Sequence, residues 1–183
     1  MSSPSRTLVL LAHPDLADSR VNRVLADAVG DLEGVTVRDL SVARFRDGFD
    51  VALEQHLLLG YDTVVLQFPW YWYSVPGILK EWMDQVLTHG FAYGSGGDAL
   101  HGKTLQVVTS TGGPDASYQP GGYNRFTMVE LMRPLDATAH LCGMTLAEPL
   151  VVHGARTLDD ATLASYAERY RSLLAGDELR ATA

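Results

Sequence analysis

A single cysteine, Cys142, in 183 residues leaves no partner for an internal disulfide and suits a reducing compartment. Basic residues are also few. Fourteen Lys and Arg stand against 22 acidic residues, for a net charge of −8, and no basic run occurs. That excludes a face built to neutralise a nucleic-acid duplex, so any anion site must be local. No apolar run approaches the ~18 residues of a membrane span. The polar opening, Met1 to Arg6, and the five apolar residues after Thr7 do not make a signal-peptide core, so a cytoplasmic protein is expected. The six histidines are scattered without a metal-ligand spacing, and no structural or catalytic metal is expected. Hydrolase machinery is missing as well: no Gly-x-Ser-x-Gly occurs, and Ser74 has no evident histidine base. There are no internal repeats and no low-complexity segment.

What is present is a 46% hydrophobic chain of one-domain length, residues 1–183, with polar tails at about 1–6 and 176–183. Five runs rich in Val, Leu and Thr read as strands, at about 7–12, 35–40, 63–68, 104–109 and 148–153. Helix-like segments alternate with them, which implies an α/β fold: a five-stranded parallel sheet with helices on both faces. The first helix is expected from an N-cap at Ser19, with Val21, Val24, Leu25 and Ala28 turned inward. A second, around 50–59, has Val51, Leu53, Leu57 and Leu58 to bury. A third starts near Pro76 and places Trp82 in the core. A fourth is expected from Phe126 to Leu141, ending at Gly143, and a last one from about 160 to 174.

Three loops follow expected strands, at the sheet edge where helix starts point their free N–H groups and ligands bind. After the first strand come His13 and Pro14, then Ser19 and Asn22, one helical turn apart at a helix start and suited to an anion. Asp15 and Asp18 must turn outward. After the third strand, the run from Phe68 to Tyr73 has five aromatic rings in six positions. So dense a ring cluster fits a flat ligand better than core packing. After the fourth strand, Thr109 to Pro114 carries Gly112 and Gly113, whose N–H groups come within reach of a ligand edge. For a flavin that edge gains negative charge on reduction, so the N–H groups favour the two-electron reduced form. Gly94 to Ala99 fits the dinucleotide fingerprint formally but follows no strand and opens no helix, and reads as a surface turn.

His13-Pro14 with Ser19-Arg20-Val21-Asn22, Gln67 to Pro76, Leu87 to Gly94 and Thr109 to Gly113 resemble the flavodoxin-like NAD(P)H:quinone oxidoreductases over about residues 7–175. The likeness is to the bacterial branch that includes ancillary flavoproteins of glutathione-gated potassium efflux. It implies a homodimer with FMN, or FAD as the alternative, at the subunit interface and NAD(P)H as hydride donor. By that pattern His13, Ser19, Arg20, Val21 and Asn22 hold the phosphate side. Trp70, Tyr71, Trp72 and Tyr73 flank the ring, and Ser110, Thr111, Gly112 and Gly113 meet its polar edge. Tyr118 matches a tyrosine over the substrate pocket. The pocket histidine of the animal enzymes has no equivalent in the Gly121 to Asn124 stretch, where Tyr123 is the leading substitute. The implied reaction is ping-pong hydride transfer to a quinone-type acceptor. The competing roles are a regulatory subunit of a potassium-efflux transporter and a one-electron carrier of flavodoxin type.

Overall fold

In the computed structural model, which describes residues 5–176, the first apolar run becomes β1 (Thr7–Leu11), every residue of it buried. A strand covered on both faces reads as a continuous apolar run, and its neighbours must therefore lie in a parallel sheet. They do. β2 (Val35–Asp39) and β3 (Thr63–Pro69) flank β1, β4 (Thr104–Ser110) flanks β3, and all pairs are parallel. The order is β2-β1-β3-β4-β5, so the chain winds one way from β1 to β2 and the other way from β3 onward. Such a reversal opens a crevice at the carboxyl ends of the strands.

The fifth position is filled by two short strands rather than the one expected at 148–153. β5 (Thr145–Leu146) pairs with the start of β4, and β6 (Leu150–Val152) with its end. Pro149 lies between them and has no N–H to give the ladder, which accounts for the break.

α1 (Arg20–Val29) and α7 (Asp160–Ala175) cover one face, closing over Val9, Val65, Val108 and Val152. α2 (Leu40–Ala43), α3 (Val51–Leu59), α4 (Gly77–Val86), α5 (Met128–Leu131) and α6 (Arg133–Leu141) serve the other face, over Leu8, Leu10, Leu66 and Val107. Helices on both faces are as expected. Ser19 caps α1 by accepting from Asn22 N at 3.2 Å, and Trp82 is buried in the core. Pro76 is the N-cap of α4.

Two helices depart from the expectation. The single helix from Phe126 to Leu141 is two, because Pro134 at the start of α6 cannot donate to the turn before it. In α3, Leu58 is buried but Leu53 is largely exposed; the deeply buried partner is Glu54, 1% exposed. Its carboxylate accepts from Arg38 Nε on β2 at 2.9 Å and from Trp82 Nε1 on α4 at 3.1 Å. A buried carboxylate survives only when its charge and lone pairs are met in this way.

The Gly94 to Ala99 stretch is a turn with Gly94 and Gly96 at positive φ, and no helix follows it. Among the described residues no helix is long and apolar enough to cross a membrane, and no group of three or more His, Cys, Asp or Glu is arranged to hold a metal ion.

Candidate functional site

The carboxyl ends of β1, β3, β4 and β6 surround a cleft of about 420 Å³. That is the size of a small-molecule or cofactor pocket. Each strand delivers one part of its wall.

β1 leads into His13 and the start of α1. Asp15 N donates to His13 Nδ1 at 3.1 Å, so the proton of the neutral ring stands on Nε2. Burial lowers the His13 pKa, against the opposing pull of Asp15, Asp39 and Asp18, and keeps the ring neutral. Asp18, Ser19, Arg20, Val21 and Asn22 line the cleft beside it; Asp15 stays outside the wall, but Asp18, although exposed, does not turn clear of the cleft as expected. Ser19 Oγ is taken up by the cap bond from Asn22 N. The N–H groups of Arg20 and Val21, at the positive end of the helix, have no acceptor among the described residues. The Arg20 guanidinium turns toward α7, where it meets Asp160 and donates to Leu158 O at 2.7 Å. Asn22 is fully buried: its Nδ2 donates to Ser110 Oγ at 3.3 Å, and its Oδ1 has no partner.

β3 leads into the aromatic loop. Trp70 is buried and stacks on Phe68 with centroids 6.0 Å apart, yet its Nε1 has no acceptor. Tyr71 and Ser74 exchange backbone hydrogen bonds at 3.1 and 3.0 Å across a two-residue turn. Its central residues, Trp72 and Tyr73, both have positive φ, 48° and 60°. This is the primed hairpin turn that Asn-Gly normally occupies, built with two bulky aromatics. Backbone held against its preference is a mark of functional sites. Tyr71 lies edge-on to His13, with centroids 6.5 Å apart.

β4 leads into Ser110, Thr111 and Gly112, which close the cleft. Neither Gly112 nor Gly113 N–H has an acceptor among the described residues. A Cβ on Gly112 would approach nothing closer than Arg156 Nε, at 3.9 Å, so the protein's own packing does not require glycine there.

Ala155 and Arg156, after β6, form the remaining wall. Sequence reasoning missed both. Their signal was available: they lie just past the fifth strand, at the same sheet edge as the other three loops.

A second, shallower pocket of about 180 Å³ lies against the first and shares Trp70 with it. Trp72, Tyr73, Tyr118 and Asn124 complete it. Tyr73 Oη donates to Asn124 Oδ1 at 3.1 Å, joining the aromatic turn to the 121–126 loop. Tyr118 is buried, and burial raises its pKa, partly offset by the Thr111 hydroxyl. Tyr123 lines neither pocket and is 90% exposed, and Gly113 lies just outside the cleft wall. A histidine does stand beside Tyr118, although it does not come from the 121–124 stretch. It is His153, at the end of β6, with ring centroids 5.5 Å apart.

A parallel sheet wound both ways, with a donor-lined cleft at the reversal, defines a flavodoxin-like protein, and the chain belongs to that family: the family model described as flavodoxin-like fold matches residues 5–174. Among curated proteins, the chain is 46% identical over 175 residues to the glutathione-regulated potassium-efflux system ancillary protein KefG of Yersinia enterocolitica, covering 95% of each chain. Among solved structures it is similar to general stress protein 14 of Treponema denticola in complex with FMN. That match has a TM-score of 0.86 and 36% identity, over 92% of this chain and 97% of that one. It is also similar to an NADPH-quinone reductase from P. pentosaceus, with a TM-score of 0.84 and 37% identity, again over 92% and 97%.

Proposed function

We propose that this chain is an FMN-dependent NAD(P)H:quinone oxidoreductase that works as a homodimer. The observation that carries the reading is the set of unmet donors converging on one cleft. These are the first-turn N–H groups of Arg20 and Val21 and the N–H of Gly112, with the buried Trp70 Nε1 in the same wall and the Gly113 N–H just outside it. Helix-start and glycine-loop N–H groups left free around one cleft form an anion-binding arrangement, so an acceptor-rich ligand is the expected occupant. FMN presents acceptors in a matching pattern, with a phosphate at one end and a carbonyl-rich ring edge at the other.

In this reading the Arg20 and Val21 N–H groups and His13 Nε2–H hold the phosphate, with Ser19 fixing the helix start that presents them. Asn22 ties that corner to Ser110. Trp70 and Tyr71 bound the ring, and Ser110 to Gly113 meet its polar edge with donors already in place. Bound there, FMN would supply the redox chemistry, accepting a hydride from NAD(P)H and delivering one to a quinone in alternating half-reactions. Trp72, Tyr73 and Tyr118 receive the flat acceptor in the adjoining pocket and exclude water from it. Tyr123 and Trp72, which the single chain leaves exposed, belong to the dimer contact. Two large aromatic side chains left this exposed by a single chain suit an interface.

The test is steady-state kinetics with NAD(P)H and a benzoquinone. Parallel double-reciprocal lines support the reading, and intersecting lines or no quinone reduction contradict it. The 46% identity to KefG across 95% of both chains favours a second role, in which the dimer also docks on a potassium-efflux transporter. Co-purification with such a transporter would test that role separately.

A further inference from the structure

Behind the glycine loop lies a small polar cluster that the reading above leaves without a task. His153 Nδ1 stands 3.0 Å from Thr111 Oγ1, and His153 Nε2 stands 3.3 Å from Asp115 Oδ1. Thr111 Oγ1 in turn donates to Gly113 O at 2.8 Å. Satisfying all three contacts takes three protons: the hydroxyl proton on Thr111 and one on each ring nitrogen of His153. A neutral His153 supplies only one of its two, so one contact goes unmet; an imidazolium satisfies all three. Burial lowers the His153 pKa, against the opposing charge of Asp115, so in the ligand-free chain the cluster is one proton short at neutral pH.

The position of the cluster gives the missing proton a use. Thr111 lines the main cleft and Tyr118 lines the acceptor pocket, and His153 touches both residues. The titratable groups facing the ring are Asp115, on the 3-10 turn Asp115–Ser117, and Tyr118 just after it. The Asp115 side chain is 71% exposed, which gives the ring a path to solvent.

We propose that the Asp115–His153 pair is the site's proton store, taking up one proton when negative charge arrives at the Thr111–Gly113 edge and releasing it when that charge leaves. The inference rests on the proposed function. With the cofactor bound, a hydride from NAD(P)H would bring two electrons and one proton to the site and add one net negative charge beside the Thr111–Gly113 edge. His153 takes a proton from solvent by way of Asp115, and the Thr111 hydroxyl stays on Gly113 O. A quinone that then takes a hydride and one further proton leaves as the neutral hydroquinone, and the pair returns to its starting state. His153 acts through Thr111 and Tyr118, so it is a positioning and proton-holding residue and not a catalytic one.

The test follows His153 by NMR in histidine-labelled holoprotein, oxidised and then reduced anaerobically with dithionite, its signal assigned by its loss in His153→Gln. Reduction is expected to raise the proton affinity of His153 by about a hundredfold or more, two pKa units. Equal titration in the two states would overturn the inference. A second readout is the midpoint potential against pH between about pH 5 and 8. One extra proton per two electrons steepens the slope by about 30 mV per pH unit in the native protein relative to His153→Gln, a tenfold change in equilibrium constant per unit. Identical slopes would also overturn it. Asp115→Asn should lower the His153 titration in both states; an unchanged titration means the carboxylate does not hold the proton and overturns the pairing. A protein that binds no FMN sinks this inference together with the proposed function, whereas bound FMN with an indifferent His153 sinks the inference alone.

Discussion

Replacing Trp72 with asparagine should make the chain more stable while impairing it. Trp72 and Tyr73 are the two central residues of the turn between Tyr71 and Ser74, and both have positive φ. A side chain with a Cβ costs roughly 1–2 kcal/mol in that region, and asparagine escapes part of it because its short amide hydrogen-bonds locally. Trp72 is 91% exposed, so within one chain almost no burial is lost to offset the gain. Trp72→Asn should therefore gain about 1 kcal/mol, roughly 2–4 °C in Tm for a chain of this length. Tyr73→Gly is a control with a different expectation. It relieves the same strain but gives up the hydrogen bond to Asn124, about 0.5–1.5 kcal/mol, and adds about 0.5–1 kcal/mol of backbone entropy, for a result near zero. Urea unfolding of the FMN-free protein at several concentrations separates chain stability from association. Both variants should lose quinone turnover, because the turn lines the acceptor pocket, and Trp72→Asn should weaken the dimer. A concentration-independent fall in stability for Trp72→Asn would refute the strain argument.

Ser19→Ala removes the cap of α1 and should cost about 1 kcal/mol in FMN-free stability by urea unfolding. By loosening the helix start that presents the phosphate donors it should also weaken FMN roughly tenfold by fluorescence titration, as should Asn22→Ala, which unties that corner from Ser110. A Cβ at Gly112 meets only Arg156 Nε, at 3.9 Å, so Gly112→Val should leave the unfolding midpoint nearly unchanged while slowing hydride transfer in stopped-flow measurements. Glu54→Leu strands the Arg38 guanidinium and the Trp82 indole N–H and should destabilise the chain by about 3 kcal/mol, as measured by the urea midpoint. His13 and His153 both have pKa values lowered by burial from the ordinary 6.5. Below about pH 6.5 the unfolded chain therefore binds more protons than the folded one, so stability is full above that pH and falls as pH drops toward the folded values. The urea midpoint of the FMN-free protein should decline over that window, and less so in His153→Gln.

The sheet was legible because β1, β3 and β4 are almost wholly buried and each carries a run of Val and Leu, interrupted only by Gln67 in β3 and by Gln106 and the final Thr109-Ser110 in β4. Ser19 was legible because the capping side chain is local to its helix. The breaks were harder to see because each turns on one proline: Pro134 divides the long helix, and Pro149 divides the fifth strand position. Glu54 was invisible as a core residue because its partners, Arg38 and Trp82, lie 16 residues before and 28 after it and meet it only in the fold. The same applies to the site. The loops after β1, β3 and β4 carry distinctive residue types and could be read, whereas Arg156 and His153 are ordinary residues whose position depends on β6 pairing with β4. Tyr118 and His153 are 35 residues apart in sequence, and no spacing rule connects them.

The most direct test of the reading is to release and identify the cofactor of the purified protein and to titrate cofactor-free protein with FMN. One FMN per chain, bound at the cleft so that Ser19→Ala and Asn22→Ala both weaken it, is the expected result. A protein that carries no flavin and takes up none, with its Trp70 fluorescence unmoved by added FMN, would contradict the central claim.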